Sequence, residues 1–429
     1  MLTGRRILIQ ALGCRTNLAE AEALASAFVR RGAVVVESAP FDAAVVVTCS
    51  VTAMADRKSR QLINRLRRAS PGACLAVCGC WAQGADEETA RAMGVDVLAG
   101  NRHKSEIPDA VEKFFNESDR QFALLREGLT GWDGLQLDAP VHHSRAFIKI
   151  QDGCSHGCTY CIVPSLRGPS VSRPCADILE EAQRCLASGC MEIVLTGVHL
   201  GLFGRDSGES FAQLVRRLSD LDGLMRLRFG SLEPFCIDDD LLDALASSHC
   251  FCRHLHLPLQ SGDDDVLRRM GRGHTAEDYI SLVRRLRAAL GDDLHVSTDV
   301  MCAFPGESER AFDNTLSVLR AARIGRVHGF RYSQRAGTPA ASMPNQIDSA
   351  AAERRAERLQ IVGRELLSAE ARRWVGRDVS VLFEGEMRGR AQGYTPQYIE
   401  FRLKGAKVYR EERSVTAVSE KDGVLFGNL

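Results

Sequence analysis

The chain has 429 residues, which is enough for two or three domains that each bury a core. Lys and Arg number 55, as do Asp and Glu, so the net charge is zero and overall charge does not indicate a nucleic-acid partner. No apolar run approaches the roughly 20 residues of a membrane helix and no secretory signal is evident, so the 15 cysteines predict a cytoplasmic protein whose clustered thiols bind metal.

Residues 1–140 alternate short apolar runs with amphipathic stretches, a pattern typical of a parallel α/β sheet. We predict strands at residues 6–9, 44–47, 74–77 and 95–98. Cys14 follows the first of these strands, Cys49 ends the second and Cys80 follows the third. The carboxyl ends of parallel strands share one edge, where ligands bind, so we expect these thiols to approach each other there. They either bind a metal cluster or belong to the buried core, and Cys78, which lies inside the third strand, is a poorer candidate than Cys80.

A basic helix is predicted directly after Cys49, at residues 56–69. Its cationic residues are Arg57, Lys58, Arg60, Arg65, Arg67 and Arg68. This density of positive charge suits contacts with the phosphates of a nucleic acid, or it marks a solvated helix face.

Three closely spaced cysteines, Cys154, Cys158 and Cys161, form the most distinctive motif of the chain. Thiolates are the usual ligands of iron–sulfur clusters, and three of them leave one iron of a four-iron cubane open to a substrate or cofactor. Two other interpretations are a zinc site, with His156 or a distant cysteine as fourth ligand, and an ordinary loop.

Residues 141–345 repeat strand and helix six times, which predicts an incomplete (β/α)6 barrel with its chemistry at the carboxyl ends of the strands. Polar or small residues follow those predicted strands. They are Gln151, Asp152, Thr196, Gly197, Ser231, Glu233, His256, Gln260, Thr298, Asp299, Ser333 and Gln334. We expect a nucleotide-like cofactor at this rim, with Glu233 accepting a hydrogen bond from a ribose hydroxyl, although each residue taken alone is as easily structural.

The last segment changes in character. Residues 346–373 are rich in Ala, Glu, Arg and Leu and predict a helical connector, and residues 374–429 read as short alternating strands of a small β-barrel. Tyr394 and Tyr398 lie in sequence among Arg388, Arg390 and Arg402. Aromatic rings interleaved with arginines suit stacking on RNA bases, and the other interpretation is a barrel used only for packing.

Taken together, the motifs resemble those of the radical S-adenosylmethionine tRNA methylthiotransferases over nearly the whole chain. The matching stretches are Leu12-Gly-Cys-Arg-Thr-Asn17, Thr48-Cys-Ser-Val-Thr52, Gly79-Cys-Trp-Ala-Gln83, the Cys154 loop, Leu257-Pro-Leu-Gln-Ser-Gly262 and Tyr394-Thr-Pro-Gln-Tyr398. The resemblance implies an α/β fold with four parts: a methylthiotransferase domain (1–140), a radical domain (141–345), a connector (346–373) and a TRAM-like RNA-binding β-barrel (374–429).

The resemblance also implies two [4Fe–4S] clusters, S-adenosylmethionine, a tRNA substrate and an electron donor such as a flavodoxin or ferredoxin. Cys14, Cys49 and Cys80 would bind one cluster, and Cys154, Cys158 and Cys161 the other. The cofactor-binding residues that we expect are Tyr160, Thr196, Gly197, Ser231, Glu233 and Gln260. A non-catalytic iron–sulfur electron carrier or a zinc-dependent RNA-binding protein is the alternative from another class.

Two stretches, Ala55-Asp-Arg-Lys-Ser-Arg-Gln61 and Leu195-Thr-Gly-Val-His-Leu-Gly201, look like the branch that acts on N6-threonylcarbamoyladenosine at tRNA position 37. Related branches act on isopentenyladenosine or on an aspartate of a ribosomal protein. Residues 15 and 16 are Arg-Thr where this branch more often has Lys-Val. The threonylcarbamoyl group carries a carboxylate, which Arg331 or Arg335, near the end of the sixth predicted strand, is suited to bind.

Overall fold

The computed structural model describes residues 1–117, 121–126, 128–141, 144–387, 389–405, 408 and 410–428. These residues form two compact units. The first unit comprises Met1–Gly157, Cys161–Ser210 and Ser333–Thr338, and the second comprises Cys158–Tyr160, Phe211–Tyr332 and Pro339–Leu429. The domain boundaries expected from the sequence, after residues 140, 345 and 373, stay a prediction.

A six-stranded parallel sheet opens the first unit. Its strands are β1 (Arg6–Ala11), β2 (Val34–Val36), β3 (Ala43–Thr48), β4 (Cys74–Gly79), β5 (Val97–Ala99) and β6 (Ala123–Leu125). Their order in the sheet is β2-β1-β3-β4-β5-β6. Its helices are α1 (Arg15–Arg30), α2 (Ala53–Ala69), α3 (Cys80–Gly84), α4 (Glu87–Ala92) and α5 (Ile107–Asn116). Every residue of β3 and β4 is buried, as in central strands of a parallel sheet that is covered on both faces.

Two further strand pairs complete the first unit. Strands β7 (Arg145–Lys149) and β10 (Glu192–Thr196) pair in parallel, whereas β8 (Gln151–Asp152) and β9 (Val171–Ser172) pair antiparallel. The helices are α6 (Val163–Arg167) and α7 (Cys175–Ala187). Ala19 of α1 packs with Phe147 of β7 and Val194 of β10, so the helix of the N-terminal sheet shares a small core with this pair.

The second unit contains the other four parallel strands that the sequence predicts. They are β11 (Arg226–Phe229), β12 (His254–His256), β13 (His295–Cys302) and β14 (Arg326–Arg331). Strands β12, β13 and β14 pair in parallel, and parallel bridges from Leu227 to Phe251 and from Ser231 to His256 join β11 to β12. The accompanying helices are α8 (Phe211–Ser219), α9 (Asp239–Ser247), α10 (Asp264–Met270), α11 (Ala276–Leu290) and α12 (Glu309–Ala321).

The C-terminal part of the second unit is a long helix followed by a curled mixed sheet. Helix α13 (Ser349–Arg372) precedes β15 (Asp378–Met387), β16 (Arg390–Tyr394), β17 (Glu400–Lys404), β18 (Glu411–Thr416), β19 (Ser419–Lys421) and β20 (Val424–Asn428). The sheet order is β18-β15-β16-β17-β20-β19, and Phe383, Phe401 and Leu403 fill its buried side. The predicted α/β class with a small barrel-like C-terminal part is therefore confirmed.

Within the described residues, we find no helix that combines the length and the apolar character needed to cross a lipid bilayer.

Candidate metal centre and cofactor site

Cys14, Cys49 and Cys80 lie at the carboxyl ends of neighbouring strands in the first unit. Cys14 follows β1, Cys49 follows β3 and Cys80 begins α3 directly after β4. The predicted placement of the three residues at one edge of a parallel sheet is therefore observed. Burial, with a smaller contribution from the neighbouring Cys80 and Cys14 sulfurs, raises the pKa of the Cys49 thiol to about 11.

The loops that carry these thiols are fixed by two residues that the sequence motif contains. Gly13 has φ of +98° and faces Cys49 so closely that a Cβ atom there would lie 2.7 Å from the Cys49 sulfur, hence only glycine fits. The Asn17 side-chain amide donates to Leu12 O at 2.5 Å and to Thr48 O at 2.9 Å. Asn17 therefore holds the end of β1 next to the end of β3.

A buried arginine, Arg167, contacts this thiol group. Its Nε donates to the Cys80 sulfur at 3.3 Å and its Nη2 donates to Asn17 Oδ1 at 2.8 Å. Asn17 Oδ1 in turn lies 3.8 Å from the Cys14 sulfur. Sequence reasoning did not single out Arg167, since a lone arginine six residues after Cys161 carries no recognisable spacing. Only the folded chain brings it to Cys80.

Cys78 differs from Cys80 as the sequence suggests. It lies inside β4, where its residue pairs with Val47 and Ala99, and it is fully buried. Burial raises the pKa of its thiol to about 12. Cys78 is therefore placed as a core residue, whereas Cys80 lies beyond the strand.

The second cysteine group occupies an irregular loop between β8 and α6. Cys154, Cys158 and Cys161 are all partly exposed. The Cys154 N–H donates to Gly168 O at 3.0 Å, which closes the loop around α6. His156, considered as a zinc ligand, donates its backbone N–H to the Cys154 sulfur at 3.4 Å.

Among the described residues, no three Cys, His, Asp or Glu side chains are arranged to bind a single metal ion. The ligands of a cubane cluster do not need that arrangement, because each thiolate binds a different iron. Three partly exposed thiols in one irregular loop fit the donor set that such a cluster requires, and so do three thiols at one sheet edge.

Two expected cofactor residues, Thr196 and Gly197, lie at the end of β10 in the first unit. A Cβ atom at Gly197 would lie 3.0 Å from both the backbone O and the side-chain Oε1 of Gln151, so this glycine admits the buried glutamine. Gln151 donates to Gly153 O at 2.8 Å and accepts from the His199 N–H at 2.8 Å. Gln151 thus connects the end of β10 to the start of the cysteine loop.

The remaining expected residues, Tyr160, Ser231, Glu233 and Gln260, belong to the second unit. Ser231 bridges to His256 across the strand ends, and the Tyr160 ring packs 6.5 Å from that of Phe304. Gln260 is 8% exposed, has φ of +66° and holds a buried Oε1 without a hydrogen-bond partner in the described part of the chain. An unsatisfied buried acceptor of this kind suits a ligand that donates an N–H or O–H.

Glu233, the expected ribose acceptor, is paired with an arginine that the sequence did not reveal. Arg272 Nη1 donates to Glu233 Oε1 at 3.2 Å, and Arg272 Nη2 contacts the other carboxylate oxygen. Arg272 Nη1 also lies 3.5 Å from the Cys158 sulfur. In the sequence, Arg272 stands between two glycines in Gly271-Arg-Gly-His274. Such a glycine-flanked turn occurs for many structural reasons and does not by itself predict a cofactor site.

The cations of the arginine-rich helix α2 differ in what they contact. Arg67 donates to Asp96 Oδ2 at 2.6 Å and to Gly94 O at 2.5 Å, so it is structural. Lys58 and Arg65 line an open groove of about 650 Å³, in which Arg65 Nη2 donates to Gln10 Oε1 at 3.3 Å. The other residues of that groove are Gln10, Ala11, Leu12, Gln61 and Leu62, so it opens beside the loop of Cys14.

Tyr394 and Tyr398 stack on each other with ring centroids 4.9 Å apart. The guanidinium of Arg228 lies 4.7 Å from the Tyr398 ring, and the His254 ring lies 5.2 Å from it. These contacts tie the C-terminal sheet to β11 and β12, so they favour the packing interpretation of the two tyrosines. Arg388 lies outside the described residues.

Comparison with known families defines the class of protein. Residues 148–319 match the radical SAM superfamily, and residues 6–100 match a family described as uncharacterized protein family UPF0004. The fold is similar to that of the radical S-adenosylmethionine methyltransferase TsrM from Kitasatospora setae, with a TM-score of 0.54 and 15% identity over 79% of this chain and 77% of that chain. The chain is a radical SAM protein, a class that implies a [4Fe–4S] cluster and S-adenosylmethionine.

Curated relatives narrow this class. The chain is 37% identical to tRNA-2-methylthio-N(6)-dimethylallyladenosine synthase of Frankia casuarinae, over 92% of this chain and 74% of that protein. It is 32% identical to threonylcarbamoyladenosine tRNA methylthiotransferase MtaB of Bacillus subtilis, over 94% of this chain and 91% of that protein. The chain therefore belongs to the radical SAM tRNA methylthiotransferase family and is an enzyme that transfers a methylthio group.

Proposed function

We propose that this enzyme replaces the C2–H of N6-threonylcarbamoyladenosine at position 37 of tRNA with a methylthio group, in the cytoplasm. The observation that carries the proposal is the pair of cysteine triplets. One triplet converges at a sheet edge around Arg167, and the other occupies a loop with the spacing of radical SAM proteins.

Two [4Fe–4S] clusters are part of the proposal. Cys154, Cys158 and Cys161 would hold the cluster that binds S-adenosylmethionine, and Cys14, Cys49 and Cys80 would hold the second. Together these groups supply one-electron cleavage and a methylated sulfur, which the substitution of an unactivated aromatic C–H requires. The proposed reaction consumes electrons, so it includes a donor such as a flavodoxin or ferredoxin.

The residues of the second unit are assigned the task of holding the cofactor. The unsatisfied Gln260 Oε1 would accept a hydrogen bond from an amino or hydroxyl group of S-adenosylmethionine. Arg272 orients Glu233 and approaches the Cys158 sulfur, so it would keep the carboxylate and the thiolate in a fixed relation. Thr196 and Gly197 are also proposed to bind the cofactor. Gly197 packs against the buried Gln151, which leads into the cysteine loop.

The choice of threonylcarbamoyladenosine is supported by Arg335. Its Nη2 donates to Ser50 Oγ at 3.0 Å, directly beside Cys49. Its Nε is buried and has no hydrogen-bond partner in the described ranges. A guanidinium that has an unused donor and contacts the residue after Cys49 suits the substrate carboxylate, whereas Arg331 is exposed at the end of β14.

Dimethylallyladenosine at the same position is the second candidate. It is favoured by the higher identity to relatives that carry this name, 37% against 32%. The dimethylallyl substituent is apolar and carries no acceptor to which a guanidinium could donate a hydrogen bond.

A competition between two otherwise identical tRNAs, one carrying each modification, tests the substrate. We expect the threonylcarbamoyl tRNA to be methylthiolated preferentially, as measured by mass spectrometry of the nucleosides. Arg335→Leu should remove most of that preference, and the matched control Arg331→Leu should retain it. Preference for dimethylallyladenosine in the wild-type enzyme would establish the second candidate and leave the methylthiotransferase activity intact.

A further inference from the structure

Arg167 is one of the most deeply buried cations of the first unit, with 2% of its surface exposed. All three nitrogens of its guanidinium donate hydrogen bonds. Nη1 donates to Asp152 Oδ1 at 2.9 Å and to Glu20 Oε1 at 3.1 Å, Nη2 donates to Asn17 Oδ1 at 2.8 Å and to Glu20 Oε2 at 3.4 Å, and Nε donates to the Cys80 sulfur. Burying an arginine costs free energy unless all of its N–H donors have acceptors. For the Nε–H of Arg167 that acceptor is the Cys80 sulfur.

The two carboxylates do not need Arg167 for neutralisation. Lys149 Nζ lies 3.0 Å from Glu20 and 3.1 Å from Asp152, Lys104 Nζ lies 3.2 Å from Glu20, and Arg102 Nη1 lies 3.3 Å from Asp152. Each carboxylate therefore has two other cations within ion-pair distance. If Arg167 served only to neutralise Glu20 and Asp152, it would be a third and unneeded cation for each of them.

The charge balance of this buried volume points the same way. Four cations face three carboxylates, all of them buried. The cations are Arg102, Lys104, Lys149 and Arg167, and the carboxylates are Glu20, Asp133 and Asp152. This leaves one positive charge in excess before the thiols are counted. A four-iron cubane held by three thiolates carries about one negative charge in its oxidised form, which the excess charge balances.

The position of Arg167 in the chain adds a connection between the two cysteine groups. It ends α6, which begins two residues after Cys161, and the following residue, Gly168, accepts the hydrogen bond of the Cys154 N–H. The same short segment therefore touches Cys80 with its side chain and Cys154 with its backbone.

We propose that Arg167 is a positioning residue for the cluster of Cys14, Cys49 and Cys80, donating an N–H···S bond to the Cys80 thiolate and raising the reduction potential of that cluster. This inference rests on the two-cluster function proposed above. A donor and a positive charge next to a ligand sulfur stabilise the more negative, reduced state, hence their removal lowers the potential. Glu20, Asp152 and Asn17 hold the guanidinium at the sulfur.

The test uses the full-length chain with Cys154, Cys158 and Cys161 all replaced by Ala, so that a single cluster remains. Arg167→Gln and Arg102→Gln are introduced separately, and each protein is reconstituted anaerobically with iron and sulfide. Arg102→Gln is the matched control, because it removes a buried cation of the same network that contacts Asp152 but no thiol. The midpoint potential is measured by dithionite titration followed by electron paramagnetic resonance, and the Fe–S stretching bands by resonance Raman spectroscopy.

We expect Arg167→Gln to shift the midpoint potential to more negative values than Arg102→Gln does, and to shift the Fe–S(Cys) bands, which Arg102→Gln leaves in place. Equal potentials in the two variants, or unchanged Fe–S bands in Arg167→Gln, would overturn the inference. If circular dichroism shows that Arg167→Gln does not fold, the Fe–S(Cys) bands of Arg167→Lys and Arg102→Lys are compared instead. Lysine keeps the charge and loses the directed Nε–H, so the bands should shift in Arg167→Lys and stay in place in Arg102→Lys, and unchanged bands in Arg167→Lys would overturn the inference. A parent protein that takes up no cluster while Arg167 is intact would overturn the two-cluster function itself.

Discussion

The buried Cys49 thiol of the first unit is a poor ligand until a metal is present, because the thiolate and not the thiol binds metal. Burial raises the pKa of the Cys49 thiol to about 11, so this thiol stays protonated at neutral pH until a metal binds it. A cluster bound at this edge, as proposed, would have to displace that proton, so its binding would depend on pH. Gly13 and Asn17 contribute to this edge by fixing the positions of the loops that carry Cys14 and Cys49.

At the residue scale we predict that Cys49→Ala removes sulfur insertion while cleavage of S-adenosylmethionine continues. The iron content should fall by about half, from about eight to about four atoms per chain, because one of the two proposed cubanes would be lost. Anaerobic purification with iron analysis, and quantification of 5′-deoxyadenosine and methylthio product, provide the measurement.

Cys78→Ala is the matched control for this substitution, since Cys78 is a buried cysteine two positions from Cys80 that lies inside β4. It should keep the full iron content and form product. Methylthio product at the wild-type level from Cys49→Ala would refute the role assigned to the N-terminal triplet.

Helix α2 illustrates how an element divides its charges between folding and surface. Its start is set by the Thr52 side chain, which accepts the Ala55 N–H at 3.1 Å, and Ser59 bonds back to Cys49 O at 2.9 Å. The helix is thereby attached to the Cys49 loop. Lys58 and Arg65 then lie seven positions apart on one face, where they line the groove next to the Cys14 loop.

At the element scale we predict that Lys58→Glu combined with Arg65→Glu weakens tRNA binding about tenfold or more. Each lost phosphate contact should also reduce the dependence of binding on salt. Filter binding or fluorescence anisotropy at several salt concentrations measures both effects.

Arg68→Glu on the same helix is the control, because its side chain bonds to the backbone O of Asn64 and does not line the groove. All variants should keep their iron content. Equal loss of affinity in Arg68→Glu would indicate a non-specific effect of helix charge, and unchanged affinity in the double variant would exclude the groove.

Over the whole molecule, the second unit joins its parallel strands to the C-terminal sheet through two buried arginines. Arg226 donates to Tyr394 O at 2.8 Å and pairs with Glu412 at 2.8 Å. Arg228 donates to Pro396 O at 3.1 Å and lies over Tyr398. Guanidinium groups can satisfy several carbonyl oxygens at once, which explains why arginines rather than apolar residues occupy this contact.

At this scale we predict that Arg228→Ala lowers the stability of the second unit by about 3 kcal/mol. The substitution leaves buried carbonyl oxygens without a donor and removes the cation–π contact with Tyr398. Residues 374–429 should then become more susceptible to limited proteolysis, and the melting temperature should drop by several degrees.

The exposed Arg217 on α8 supplies the control for this prediction, because Arg217→Ala removes the same charge without a buried contact. Its melting temperature should equal that of the wild type. A similar result for Arg228→Ala would show that the bonds to the C-terminal sheet contribute little.

Local pattern was sufficient to predict much of this protein. Buried parallel strands read as near-continuous apolar runs such as Val45-Val-Val47, and their chain order alone places Cys14, Cys49 and Cys80 at one sheet edge. The spacing of Cys154, Cys158 and Cys161 is a local property as well, since the three thiols lie within one loop. Fold class and cysteine groups could therefore be predicted without coordinates.

Only the tertiary structure shows which partners the long, charged side chains have. Arg167 reaches Cys80 over 87 positions, Arg272 pairs with Glu233 over 39, and Arg335 meets Ser50 over 285. No periodicity or spacing encodes such pairs, because a guanidinium on a flexible stem contacts whatever the packing of other elements places within its reach. For the same reason Tyr398, which fits a base-stacking role in the sequence, packs on Arg228 and His254 once β11 and β12 are folded beside it.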